Sequence, residues 1–200
     1  MSRSAILPAL AIVLILSGCD READPAPQES AVQTDTGKEA RPGEIDRSHA
    51  GDLMPAANMV DPDGAVLNLG ALQGRPVLMN LWATWCPPCR REMPVLEAGQ
   101  QRYPGVRFIL ANQGENPNQV RQYLTEGQLH FEHLLLDPHA DLGRYAGNRG
   151  LPLTLLFDQQ GQEVGRHFGP LSDASLHHFL SQHLPGDTPR SNLLPCFSPC

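Results

Sequence analysis

Between residues 51 and 184 the apolar positions gather into short blocks separated by polar turns. Pro76–Trp82 reads PVLMNLW, almost without a polar break. Such a run fits a strand buried on both faces of a parallel sheet. Val106–Ala111 (VRFILA) repeats the signal. Ala65–Leu69 follows the turn residues Asp61-Pro62-Asp63-Gly64 and suits a short edge strand. Pro87–Gln100 has the character of a helix, bent at Pro94. Asn118–Glu126 suits a second helix, with Pro117 in a starting position. Leu129–Leu136 and His139–Tyr145 predict a short strand and a short helix. Leu153–Phe157 and Glu163–Phe168 predict a hairpin around Gln159-Gln160-Gly161, and Ser172–His183 a closing helix. The order describes an α/β fold: a central mixed sheet with a parallel centre and antiparallel edge, flanked by helices.

The flanks have different patterns. Residues 1–18 open with Arg3, pass through an apolar run from Ala5 to Leu16, and end in small residues. That describes a secretory signal. The run is short of the roughly 20 apolar residues of a membrane span. Leu16-Ser17-Gly18-Cys19 resembles the bacterial lipobox, in which the cut falls before the cysteine and a diacylglyceryl thioether forms on its sulfur. That resemblance makes Cys19 a lipid attachment point; an ordinary signal with a chance cysteine is the alternative. Asp20 resembles an inner-membrane retention signal. Residues 19–50 are rich in Glu, Asp, Pro, Gln, Ser and Thr and predict a flexible tether. Residues 185–200 form a Pro-rich tail ending Cys196-Phe197-Ser198-Pro199-Cys200.

Composition narrows the partners. The chain has 200 residues, 40% of them hydrophobic, which suits one globular domain with extensions. A net charge of -7 argues against nucleic acid as a partner. No Gly-rich dinucleotide fingerprint or phosphate loop suggests an organic cofactor. A monomer is the default expectation.

The cysteines carry the chemistry. Cys86-Pro87-Pro88-Cys89 lies between a buried strand and a helix, where a C-x-x-C pair points to redox work. The spacing puts one thiol at a helix N-terminus, where free amides and the helix dipole stabilise a thiolate. A zinc knuckle would need a second ligand pair of similar spacing, and only Cys196 and Cys200 could provide it. Pro87 and Pro88 have no backbone N–H, so the Cys86 sulfur loses two possible donors. Weaker thiolate stabilisation favours a reductant.

Leu81-Trp82-Ala83-Thr84-Trp85-Cys86-Pro87-Pro88-Cys89, followed by Arg90-Arg91-Glu92-Met93-Pro94 and later by Gly150-Leu151-Pro152-Leu153-Thr154, resembles the thioredoxin superfamily. Within it the pattern is similar to the TlpA/ResA-like reductases, bacterial extracytoplasmic proteins that include the cytochrome c maturation thioredoxins. The resemblance covers roughly Leu53 to Leu184 and implies a thioredoxin-like fold. It implies that Cys86 attacks a partner disulfide and Cys89 resolves the mixed disulfide. It makes Pro152 the cis-proline beside the dithiol and Leu151 part of the partner groove, with Trp85, Pro87 and Pro88 on the same surface. It makes Glu92 the acid–base near the thiols; the alternative is a solvated helix residue paired with an arginine. Asn80 stands where thioredoxin has a buried Asp. The implied partners are extracytoplasmic thiol or disulfide proteins, a membrane electron donor of the thiol-reductase type, and the membrane itself through the lipid. The implied location is the periplasmic face of the inner membrane.

Several residues fall outside that pattern. Trp82 is expected in the core. His130 and His133 have metal-like spacing but no completing ligands, and no metal site is expected. His177, His178 and His183 are expected to be solvated. The tail pair Cys196 and Cys200 fits a small terminal disulfide, an internal relay to Cys86–Cys89, or capture of a soft metal such as Cu(I). A copper-binding module and a net disulfide oxidase are therefore the competing functions. The large helical insertion usual in such oxidases has no room here. A peroxidase would need a Thr-x-x-Cys setting that Ala83-Thr84-Trp85-Cys86 lacks.

Overall fold

The computed structural model describes residues 43–184. Cys19, the signal and lipobox residues, and Cys196 and Cys200 lie outside the described residues. Eight strands form one mixed sheet: β1 (Ile45–Asp46), β2 (Asn58–Val60), β3 (Val66–Asn68), β4 (Val77–Trp82), β5 (Arg107–Gln113), β6 (His133–Asp137), β7 (Leu153–Phe157) and β8 (Glu163–Phe168). Their spatial order is β1-β8-β7-β4-β5-β6-β2-β3. β4, β5 and β6 are parallel, whereas β7 and β8 run antiparallel beside them. The expected parallel centre and antiparallel edge are both present.

Every residue of β4 is buried because both faces of the sheet are covered. One face packs Leu78 and Trp82 with Met93, Leu96, Phe108 and Phe179. The other packs Met79 and Leu81 with Ile109, Leu155 and Phe157. Helix α1 (Pro87–Arg102) leaves the end of β4, and α2 (Pro117–Gly127) leaves the end of β5. α3 (Asp141–Tyr145) precedes β7, and α4 (Asp173–His183) packs against α1. At Gly99 α1 passes very close to its neighbours. A Cβ there would come within 2.8 Å of Leu176 Cδ2 and 3.0 Å of Phe108 Cε1.

Three expectations change. Residues 43–50, read as tether, carry β1, whose Ile45 pairs with His167. The helix expected from His139 starts at Asp141, after Ala140 has turned into the left-handed region. His183 is half-buried rather than solvated: Arg47 donates to its Nε2 at 3.1 Å, and its Nδ1 lies 2.8 Å from the Phe179 carbonyl. Burial lowers its pKa. His177 is exposed, as expected, yet its Nδ1 lies 2.9 Å from the Tyr103 hydroxyl.

Candidate active site

The site forms where β4 ends and α1 begins, at the carboxyl edge of the parallel strands. Cys86 is the N-cap of α1, and Pro87 and Pro88 fill the first two helical positions. Proline is tolerated there because those amides have no intrahelical partner. Cys86 and Cys89 are joined in a disulfide with Cα atoms 5.3 Å apart. The amide of Cys89 donates to the Cys86 sulfur at 3.3 Å. With two prolines ahead of it, this is the first helix amide the sulfur can receive. Cys89 is fully buried, whereas Cys86 keeps a 3% opening to solvent.

Glu92 lies one turn further along the same helix, fully buried. The reading of Glu92 as a solvated residue paired with an arginine is therefore wrong. Its Oε1 accepts from Asn80 Nδ2 at 2.9 Å, and its Oε2 accepts from the Leu171 amide at 2.7 Å. Desolvation outweighs both hydrogen bonds and pushes its pKa up to about 7. Asn80 donates its second amide hydrogen to Thr154 Oγ1 at 3.0 Å. Asn80 and Thr154 are cross-strand partners on β4 and β7, which fixes the register of this polar row. The carboxyl titrates near neutrality in a site whose chemistry consists of moving protons on and off sulfur.

The partner-facing side is built from separate segments. The Leu151–Pro152 peptide is cis. Pro152 is buried and Leu151 half-buried. Trp85, immediately before Cys86, is 68% exposed. Trp85 and Leu151 share a groove of about 340 Å³ with Leu81, Gln113, Arg149 and Leu153. Pro87 instead lines a second hollow with Arg90, Arg91 and Tyr123. Pro88 is half-buried at the start of α1. Trp82 lies wholly in the core, against Tyr123. His130 Nδ1 lies 3.6 Å from Glu97 and His133 Nε2 3.6 Å from Glu132, and the described residues contain no metal-ligand cluster.

One residue of the site went unread in the sequence. Glu115, in the loop between β5 and α2, accepts from the Thr84 amide at 2.7 Å and from Asn112 Nδ2 at 2.7 Å, and it bonds the Thr84 hydroxyl. Thr84 lies 31 residues upstream, so no local pattern announces the contact.

Comparison with known proteins fits this geometry. The redoxin family pattern matches residues 49–180. The thiol-disulfide oxidoreductase ResA of Halalkalibacterium halodurans is 33% identical over 139 residues, covering 68% of this chain and 78% of that protein. The chain belongs to the redoxin family, among the TlpA/ResA-like thiol-disulfide oxidoreductases. The thiol:disulfide interchange protein HelX of Rhodobacter capsulatus is 31% identical to this ResA-like chain over 135 residues, covering 66% of it and 75% of HelX. A solved thiol:disulfide interchange protein of the thioredoxin family from Chlorobium tepidum TLS superposes with a TM-score of 0.57 at 24% identity, covering 72% of this chain and 98% of that one. That likeness speaks to the fold, which is thioredoxin-like.

Proposed function

We propose that this ResA-like oxidoreductase works as a reductant of disulfides in other extracytoplasmic proteins, held at the periplasmic face of the inner membrane by a lipid on Cys19. The observation that carries the direction is the donor set of Cys86. Its sulfur receives the Cys89 amide at 3.3 Å, with prolines at the two helix positions ahead of it. A thiolate with few donors is weakly stabilised, and a weakly stabilised reduced form gives up its electrons readily. A carboxylate at Glu92 pushes the same way, since negative charge nearby disfavours a second anion.

The exchange balances as follows. The Cys86 thiolate attacks one sulfur of the partner disulfide, and the S–S bond breaks toward the other sulfur, which leaves as a thiolate. Glu92 takes the proton of Cys89, whose thiolate attacks the Cys86 sulfur. The partner's second sulfur leaves, and Cys86–Cys89 is oxidised. Glu92 gives the Cys89 proton to one leaving thiolate and solvent protonates the other, so the partner dithiol has gained the two electrons that Cys86 and Cys89 lost. A membrane dithiol donor of the thiol-reductase class would restore the pair. Trp85, Leu151, Pro152 and the two inter-cysteine prolines would form the partner's contact surface.

The attachment rests on Leu16-Ser17-Gly18-Cys19 and the charged start at Arg3. Incorporation of labelled fatty acid into the wild type but not a Cys19→Ser chain would support it; equal labelling would remove it. The direction is tested by the reduction potential of the full chain against glutathione, with Cys19, Cys196 and Cys200 replaced by serine. A value near or below roughly −270 mV supports a reductant, and one near roughly −120 mV makes the protein a disulfide-forming oxidant.

A further inference from the structure

The turn that delivers Cys86 is tied to a neighbouring loop by one carboxylate. Glu115 is 8% exposed. Its Oε2 accepts both the Thr84 amide and Asn112 Nδ2 at 2.7 Å, and its Oε1 bonds the Thr84 hydroxyl. Gly114, with φ of 74°, makes the turn that brings Glu115 back over the end of β5. The next residue, Asn116, caps α2 with its side chain, so the clamp stands on a fixed base. Thr84 lies two residues before Cys86, and a further bond from the Cys86 amide to the Ala83 carbonyl closes that short turn at 3.2 Å.

We infer that Glu115, gripping Thr84 at both its amide and its hydroxyl, is a positioning residue that holds Cys86 within reach of Cys89 when the two thiols are reduced. The inference rests on the dithiol being redox-active and is independent of the direction of electron flow. Cys89 is fixed inside α1, whereas Cys86 is its N-cap, with extended backbone and only its carbonyl joined to the ladder, through the Arg90 amide at 3.1 Å. Without the clamp the reduced turn would sample more conformations, and closing the disulfide would cost more entropy. The effective concentration of one thiol for the other would fall. A disulfide formed at lower effective concentration is weaker, so its potential becomes less negative.

The test measures the equilibrium with glutathione for the full chain carrying serine at Cys19, Cys196 and Cys200, alone and with Glu115→Ala, Thr84→Val or Thr84→Ser. Glu115→Ala is expected to weaken the disulfide roughly tenfold, a shift of about 30 mV for a two-electron couple. Thr84→Val, which removes only the hydroxyl contact, should move it less in the same direction. Thr84→Ser keeps that contact and should match the parent. A general loss of stability would lower the melting temperature without moving this ratio. If Glu115→Ala and Thr84→Val fold and both keep the parent constant within twofold, Glu115 is not a positioning residue. Should Glu115→Ala not fold, Thr84→Val decides: the parent constant overturns the inference, and a weaker disulfide supports it. A parent chain that does not exchange with glutathione at all would sink the proposed function instead.

Discussion

Asn80 Nδ2 donates to Glu92 Oε1 at 2.9 Å across the interior beneath the dithiol, tying the middle of β4 to the active-site helix. The contact orients a carboxyl group that has no access to solvent. Burial raises its pKa to about 7 from the usual 4.5. A raised folded pKa means the native state holds the proton over a range where the unfolded chain has lost it. Stability from this group is therefore full below about pH 4.5 and is lost as pH rises through about 7. Glu92→Gln should flatten the stability profile across that window, read by urea unfolding at several pH values. It should also remove the phase near pH 7 from the rate of exchange. A wild-type slope retained in the variant would assign the titration to another group.

Asn80→Asp places a second carboxyl against the first. Asn80 now uses both amide hydrogens, toward Glu92 and Thr154. An ionised aspartate would supply neither. Two carboxyls in one buried site cannot both ionise, so they would share a proton and titrate as a pair. The upper apparent pKa should rise by at least one unit above that of Glu92, and stability at pH 8 should fall by a few kcal/mol. Below about pH 4 both carboxyls are protonated and most of that loss should return. A uniform loss at every pH would point to packing instead.

Much of the fold could be read from runs of apolar residues. β4, β5 and β7 emerged because burial on both faces leaves a run of apolar residues, β8 emerged as the second arm of a hairpin marked by the turn at Gln159-Gln160-Gly161, and Cys86–Cys89 emerged because strand–turn–helix punctuation surrounds it. β1 and β2 did not, being two and three residues long and defined by partners far along the chain. Glu115 stayed hidden for the same reason. Glu163 and Arg166 illustrate a subtler limit. Three residues apart on a regular strand, they would face opposite sides. In β8 the register slips, with Gly165 opposite Leu156 but Glu163 opposite Phe157. The extra residue, Val164, brings Glu163 and Arg166 onto one face.

That pair gives a stability prediction. Arg166 Nε and Nη2 donate to Glu163 at 2.6 Å and 2.7 Å, with both side chains almost wholly buried. Tyr145 adds a hydroxyl at 3.3 Å from Glu163, and burial raises its pKa. Arg166→Met leaves a buried carboxylate without its cation and should cost about 3–5 kcal/mol in chemical unfolding. The double change Glu163→Gln with Arg166→Met should recover a large part of that loss. The pair lies on the sheet face opposite α1, so the reduction potential should not move in either variant. A single variant as stable as the parent would mean the pair contributes little.

Burial supports the proposed order of attack. Cys89 has no exposed surface and Cys86 has a narrow opening beside the exposed Trp85. On the proposed mechanism an incoming disulfide would meet Cys86, and Cys89 would act from within. Cys89→Ser should therefore stall after the first step and accumulate a mixed disulfide on Cys86, visible by mass spectrometry as an adduct with glutathione or a protein partner. Cys86→Ser should form no such adduct at Cys89 while the chain stays folded. Trp85→Ala should lower the yield of protein adducts by severalfold and leave the small glutathione adduct nearly unchanged, because only a protein spans the groove between Trp85 and Leu151. Equal trapping through Cys89 would reverse the assignment of attacking and resolving sulfur.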